Sequence, residues 1–137
     1  MIETYSRNIT VAANTPIPLN NVALLKGATV EKQGTATLQF NKCGIYEVCV
    51  SASANAETAG DITIQLQKDD VLQPNSVSTA TAADTSTIYP LSFTTLVQVG
   101  HNNCPCNACA APTNVNIINA GEPATCDAID VVVTKIC

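Results

Sequence analysis

The chain has 137 residues, of which 46% are hydrophobic, 12% charged and 4% aromatic, and its formal net charge is −5. Its six basic residues form no stripe that could neutralise phosphates, so nucleic-acid binding is not expected. No run of about 18 apolar residues occurs, so we expect no membrane insertion. The length suits one domain with a core, and we assign residues 1–137 to a single domain.

Strand signals recur from one end of the chain to the other, and helix signals are absent. Residues 14–21 contain Pro16 and Pro18 and are expected to form an extended connection rather than a paired strand. Predicted strands cover residues 6–12, 29–32, 35–40, 45–54, 62–68, 71–81, 85–99, 114–119 and 128–136, and residues 22–25 form a short apolar run. Short strands with turns every 8–12 residues or so predict an all-β sandwich or barrel.

Two turns and the last strand are the clearest local signals. Asn41-Lys42-Cys43-Gly44 predicts a tight turn, and Asp69-Asp70 predicts a hairpin turn. The last strand is apolar at consecutive positions, which predicts a central strand buried on both faces. Asp130 is expected to be a surface residue flanking that strand.

Several segments together carry a family resemblance. They are Phe40 followed by Gly44-x-Tyr46, Gly60-Asp61-Ile62-Thr63-Ile64, the Asp69-Asp70 turn, Leu91-x-Phe93, and Ile129-x-Val131-x-Val133-x-Lys135-Ile136. In this order and spacing they resemble the jelly roll of the tumour-necrosis-factor and complement-globular-head superfamily, over roughly residues 9–136. Unlike the stalked members, this chain has no Gly-X-Y collagen segment, and its cysteines are unusually many.

The resemblance implies a ten-stranded antiparallel jelly-roll sandwich that forms a homotrimer about a three-fold axis. A chain with 12% charged residues, where about 25% is typical, is consistent with extensive contact between copies. The positions expected in the core or at the trimer axis are Phe40, Tyr46, Phe93, Val131 and Val133.

The same implied strand order predicts where the seven cysteines lie in the fold. One end of the sandwich is expected to gather Cys43, Cys104, Cys106, Cys109, Cys137 and His101. Cys126 is expected at the opposite end. Cys49 lies within a strand, on the face shared by Ile45 and Glu47, and is expected to be buried. Glu47 is expected either to meet Lys135 across neighbouring strands or to point to solvent or the trimer interface.

Three interpretations of the clustered cysteines remain open. Disulfides within or between protomers, with Cys43–Cys137 or a bond from either to the loop cysteines, would staple that end. The cysteines could instead be free thiols. The third interpretation is a zinc or iron site built from Cys104, Cys106 and Cys109 with Cys43, Cys137 or His101. We favour disulfides and expect neither a metal nor a cofactor.

No pattern of residues indicates catalysis. The one histidine lies in a predicted loop without a held nucleophile, and no phosphate-binding or Gly-x-Ser-x-Gly motif occurs, so we expect no enzymatic activity. The resemblance implies a virion component, such as a head-decoration or fibre protein. Its partners would be copies of itself and a capsid protein or a host-surface glycan or protein. A spore-coat or cell-surface outer-layer protein and a carbohydrate-binding domain are the alternatives.

The first residues, Met1-Ile2-Glu3-Thr4-Tyr5, contain no apolar signal core. We therefore expect the protein to reach a virion surface or the outside of the cell after cytoplasmic synthesis without a signal peptide.

Overall fold

The computed structural model describes residues 1–100 and 112–137, which form eleven β-strands and no helix. The strands are β1 (Ile2–Val11), β2 (Thr15–Pro16), β3 (Asn21–Leu25), β4 (Val30–Gln33), β5 (Thr37–Phe40), β6 (Gly44–Ala56), β7 (Gly60–Lys68), β8 (Val71–Ala82), β9 (Tyr89–Val99), β10 (Thr113–Asn119) and β11 (Ala124–Lys135). A helix able to span a membrane is not found in this part of the chain.

The strands form two antiparallel sheets, named here after their central strands. The β11 sheet has the order β3-β1-β11-β6-β9, and the β10 sheet has the order β4-β5-β10-β7-β8, with β2 added beside β10. From β5 onward every connection passes from one sheet to the other, except the hairpin between β7 and β8. This wrapping of two packed sheets is the connectivity of a jelly roll, so the prediction of an all-β, antiparallel jelly-roll sandwich is confirmed at that level.

The number of strands differs from the predicted ten. Thr15–Pro16 forms a short strand against β10, where the two prolines had indicated a connection only. Pairing at Thr15 needs no donor from Pro16, so a proline is compatible with so short an edge strand. The trimer implied by the resemblance stays a prediction.

The core lies between the two sheets and contains the inward row of each strand. Phe40, Tyr46, Val131 and Val133 are fully buried there, and Phe93 is half-buried and packs against the same cluster. The rings of Phe40 and Tyr46 are tilted by 48° with centroids 4.6 Å apart, a favourable aromatic arrangement. The Tyr46 hydroxyl donates a hydrogen bond to the Lys42 carbonyl oxygen, which ties the turn before β6 to the core.

The first strand begins earlier than predicted. β1 starts at Ile2 because Ile2, Thr4 and Ser6 all point inward and are fully buried, although two of the three are polar. Ser6 is satisfied there, since its hydroxyl donates to the Pro18 carbonyl and accepts from the Asn20 backbone N–H, both at 2.7 Å. These two bonds hold the connection between β2 and β3 against β1.

The last strand also begins earlier, at Ala124, and Asp130 is a half-exposed residue in the middle of β11 rather than one at its flank. β11 is central, as predicted, because it pairs with β1 on one side and β6 on the other. Only one of its faces is fully buried, since Asp130, Val132 and Thr134 remain half-exposed. The expectation of burial on both faces is therefore wrong for the isolated chain.

Candidate functional site

The outward face of the β11 sheet, called the outer face below, carries the most distinctive surface of the described chain. Alternation in β1, β11, β6 and β9 places every second residue there. These residues are Glu3, Tyr5 and Arg7 of β1, Asp130, Val132 and Thr134 of β11, Glu47, Cys49, Ser51 and Ser53 of β6, and Ser92, Thr94 and Leu96 of β9. Most are short or uncharged, and Leu96 is 60% exposed.

An open hollow of about 410 Å³ lies in the middle of the outer face. Ser51, Ser53 and Ala128 line it, and their short side chains leave space above the sheet. Longer side chains surround this space, among them Tyr5 and Arg7 of β1. The hollow is therefore a concave depression, lined by both polar and apolar atoms, in a sheet face whose other side is closely packed.

Asp130 has an unusual electrostatic environment at the edge of this hollow. Its Oδ1 atom is buried and receives no hydrogen bond from any described residue. Burial raises the pKa of the Asp130 carboxyl, and the negative charge of Glu3 and a hydrogen bond with the Glu3 carboxyl raise it further. A hydrogen bond from the Val131 backbone N–H favours the ionised carboxylate, but burial and Glu3 outweigh it, so the ionised form of Asp130 is disfavoured in the isolated chain.

Arg7 also lines the hollow, but its charge is not neutralised there. Its side chain is exposed, and no ion pair involving Arg7 is formed within residues 1–100 and 112–137. In the pairing of β1 with β11, Arg7 lies opposite Ala128, while Asp130 lies opposite Tyr5. The hollow thus holds an unsatisfied carboxylate oxygen and an unpaired guanidinium on the same surface.

Cys49 lies on the outer face and not in the core, so the expectation of burial is wrong. It is half-exposed, and its thiol donates to Glu47 Oε1 at 3.6 Å and accepts from Thr94 Oγ1 at 3.6 Å. Glu47 lies beside Thr134 of β11 and Leu96 of β9, and its carboxylate faces outward rather than meeting Lys135. The buried row of β6 is the alternate one that begins at Tyr46.

One end of the sandwich brings together two of the predicted cysteines. Cys43 is fully buried and disulfide-bonded. Cys137 lies nearby, since its carbonyl oxygen accepts a hydrogen bond of 3.2 Å from the Ile45 backbone N–H. The Cys137 thiol is exposed and free, so the considered Cys43–Cys137 disulfide is not formed.

Gly44 makes this close approach possible. It has a φ of 145°, and a Cβ atom at this position would collide with the Cys137 carbonyl oxygen and the Lys135 side chain. Because the glycine in the Gly-x-Tyr signal has no side chain, the last residues of the chain can pack closely against the start of β6.

The remaining members of the predicted cluster, Cys104, Cys106, Cys109 and His101, lie outside the described residues. The predicted disulfides to the loop cysteines and the zinc or iron site of the third interpretation also involve residues outside the described part of the chain. Among the residues that are described, no group of three or more His, Cys, Asp or Glu side chains could hold a metal.

Cys126 lies near the beginning of β11, away from Cys137, and pairs in register with Ala54 and Ile9. It is a free, buried thiol, and burial raises its pKa to about 11. A thiol held in its neutral form by apolar surroundings is a packing residue and not a nucleophile.

The sequence did not predict the hollow, because it did not predict that the first residues of β1 form a strand and pair with β11. A signal was present: Glu3, Tyr5 and Arg7 are large and alternate with the smaller Thr4 and Ser6. That alternation predicts a strand with its larger side chains on one face. It does not reveal which residue of β11 lies opposite, and this register creates the neighbourhood of Asp130.

Comparisons with known proteins support the fold. No protein-family model matches the chain, and no curated protein matches it in sequence. Among solved structures, the chain is similar to the vertex protein P5 of PRD1, with a TM-score of 0.60, 15% identity, and coverage of 99% of this chain and 96% of that one.

Two further similar structures cover nearly all of the chain. GITRL from pika has a TM-score of 0.49 at 16% identity, with complete coverage of both chains. The CBM35 domain of Abf62 from Cellvibrio japonicus has a TM-score of 0.42 at 10% identity, covering 98% of this chain and 97% of that one. The strand topology and the likeness to the vertex protein together identify the chain as a jelly-roll β-sandwich.

Proposed function

We propose that the protein is a non-enzymatic, homotrimeric structural or binding protein of a virion surface, of the head-decoration or fibre type. The observation that carries the assembly part of this proposal is the outer face, a half-exposed sheet surface with a hollow in it. The likeness of the whole chain to a protein named for a particle vertex supports the location. The resemblance stated for the sequence supports three as the number of copies.

Exposed apolar side chains on the β11 sheet favour contact between copies. Leu96 at one side of the sheet is 60% exposed, and Val132 on the central strand is half-exposed. At the other side, β3 is exposed at all five residues, including Leu24 at 43% and Leu25 at 56%. An apolar edge strand left open to water is a site for association, and a neighbouring copy would cover it.

Trimerisation would give the protein its mode of action. Three copies hold three identical sets of loops in one orientation, so that weak contacts with a capsid protein or with a host-surface glycan or protein add up. No group-transfer chemistry is needed for this role.

Immunogold electron microscopy tests the location. Antibodies against the protein are applied to purified particles and to cells of the same culture, with antibody pre-absorbed on the protein as the control. We expect label on the particle surface. Label confined to a spore coat or cell envelope, with unlabelled particles, would contradict the virion assignment and favour the outer-layer alternative.

A further inference from the structure

Within the part of the chain that the structure describes, the hollow of the outer face contains a hydrogen-bond acceptor without a donor and a charged donor without an ion-pair partner. The two groups do not pair with each other within one chain. Asp130 Oδ1 is buried without a donor among the described residues. Arg7 has five N–H donors, lines the same hollow and is exposed. A buried carboxylate oxygen without a donor destabilises a protein unless a cation or another donor reaches it.

The rest of the described chain supplies no donor to Oδ1, although the Asp130 carboxyl accepts a hydrogen bond from the Val131 backbone N–H. The carboxyl group nearest to Asp130 is that of Glu3, which repels the ionised form of Asp130 instead of neutralising it. Tyr5 lies opposite Asp130 on β1 and Ser51 lies opposite on β6, yet neither hydrogen-bonds to it. The donor must therefore enter from above the sheet, where the hollow is open.

We propose that a second copy of this chain supplies the donor, so that Arg7 of one copy enters the hollow of its neighbour and pairs with Asp130 there. This inference rests on the proposed homo-oligomer and names the residues that give its interface specificity. A second copy is the occupant that fits, because the outer face itself presents both halves of the pair. In a ring of three copies each contact is heterologous, so Arg7 of one copy would meet Asp130 of the next, and every copy gives one such pair and receives one.

The composition of the outer face supports this assignment. Besides Arg7, the charged groups that line the hollow are the Glu3 and Asp130 carboxyls, which attract a guanidinium. Arginine is suited to the role because its planar group can donate two hydrogen bonds to one carboxylate. Ser51 and Ser53 leave room for a long side chain, which larger residues at these positions would exclude.

The test uses the full-length variants Arg7→Asp and Asp130→Arg, singly, combined in one chain, and mixed as two separately purified proteins. Lys32→Asp on β4 of the β10 sheet is the matched charge-reversal control. Circular dichroism establishes that each variant is folded, and native mass spectrometry with sedimentation velocity measures association.

We expect each single variant to associate at least tenfold more weakly than wild type, because it places like charges together across the interface. The combined variant should return to within a few-fold of wild type, and Lys32→Asp should behave as wild type. In the mixture, oligomers containing both variants should outnumber those built from one, since opposite charges then meet across the contact.

Three results would overturn the inference. The first is that the wild type oligomerises and each single variant associates as strongly as the wild type does. The proposed assembly would then stand, but without this pair. Another is a rescued combined chain together with a mixture in which oligomers of both variants do not outnumber those of one variant, which would place the pair within one chain. A wild type that stays monomeric would remove both this inference and the trimer on which it rests.

Discussion

The two faces of strand β11 differ although they belong to the same twelve residues. On the inner face Ile129, Val131 and Val133 are at most 1% exposed and belong to the main core. On the outer face Asp130 and Val132 are half-exposed, beside a hollow that the chain itself leaves empty. One row of the strand thus stabilises the fold, and we infer that the alternate row serves association between copies.

Adjacent valines allow a direct test of this division. Val131→Ala deletes two methyl groups from the core and leaves a cavity, so we expect the free energy of unfolding to fall by about 2–3 kcal/mol. Val132→Ala makes the same chemical change one residue further along, on the outer face. It should alter the unfolding free energy of the dissociated chain by less than about 0.5 kcal/mol and weaken association instead.

Urea unfolding at a concentration where the chain is dissociated measures the first effect, and sedimentation equilibrium measures the second. If both valines lower the unfolding free energy equally, and neither affects association, the outer face has no role beyond the fold.

Asp130 should have opposite effects on folding and on association. In the dissociated chain its pKa is raised above the ordinary value of 3.8 by burial and by Glu3. Its stabilising contribution is therefore complete below that value and is lost as the pH rises through the folded-state pKa. Asp130→Asn should accordingly stabilise the dissociated chain at neutral pH, and the difference from wild type should shrink in acid.

Association should show the reverse dependence on pH. Pairing with a guanidinium favours the ionised carboxylate, so lowering the pH through the pKa of Asp130 should weaken the oligomer. Other titratable groups around Asp130 are Glu3, Tyr5 and Arg7 on β1, with Glu47 and Cys49 further along β6. Because Glu3 is the neighbouring carboxyl group, Glu3→Gln is the control, and a pH dependence that vanishes in Glu3→Gln but survives in Asp130→Asn would assign it to Glu3.

Two thiols of the β11 sheet provide the mildest test of the comparison. Cys126 points inward with a pKa of about 11, so it should resist alkylation of the folded protein at pH 8. Cys49 on the outer face should react in the dissociated chain and be protected several-fold in the oligomer. Cys137 is exposed and should react in both states, which makes it the internal reference. Peptide mapping after timed alkylation gives all three rates, and equal rates for Cys49 at high and low protein concentration would place it outside the interface.

Much of the fold could be predicted from local pattern. The alternation of Ile62, Ile64 and Leu66 predicted β7, and Asp69-Asp70 predicted the turn, where both residues adopt positive φ angles of 47° and 66°. The start of β1 could not be predicted in the same way, because its inward row includes the polar Thr4 and Ser6. The burial of Ser6 depends on hydrogen bonds with the distant segment before β3, whereas the buried Thr4 hydroxyl has no partner among the described residues.

The candidate site was less predictable than the fold. Cys49 was expected in the core because a thiol in a strand is usually buried, whereas the pairing of β6 with β9 and β11 turns it outward. The neighbourhood of Asp130 depends on residues more than 120 positions away on β1. A pattern within one segment holds no information on such a register. The unsatisfied Oδ1 of Asp130 can therefore be identified only from the assembled sheet.

Native mass spectrometry of the wild-type protein at micromolar concentration tests the central claim most directly. The account predicts a trimer with three times the mass of the 14.2 kDa chain, held by the outer faces of its β11 sheets. A protein that remains a monomer at this concentration would contradict it, because the outer face would then be an ordinary solvent-exposed surface.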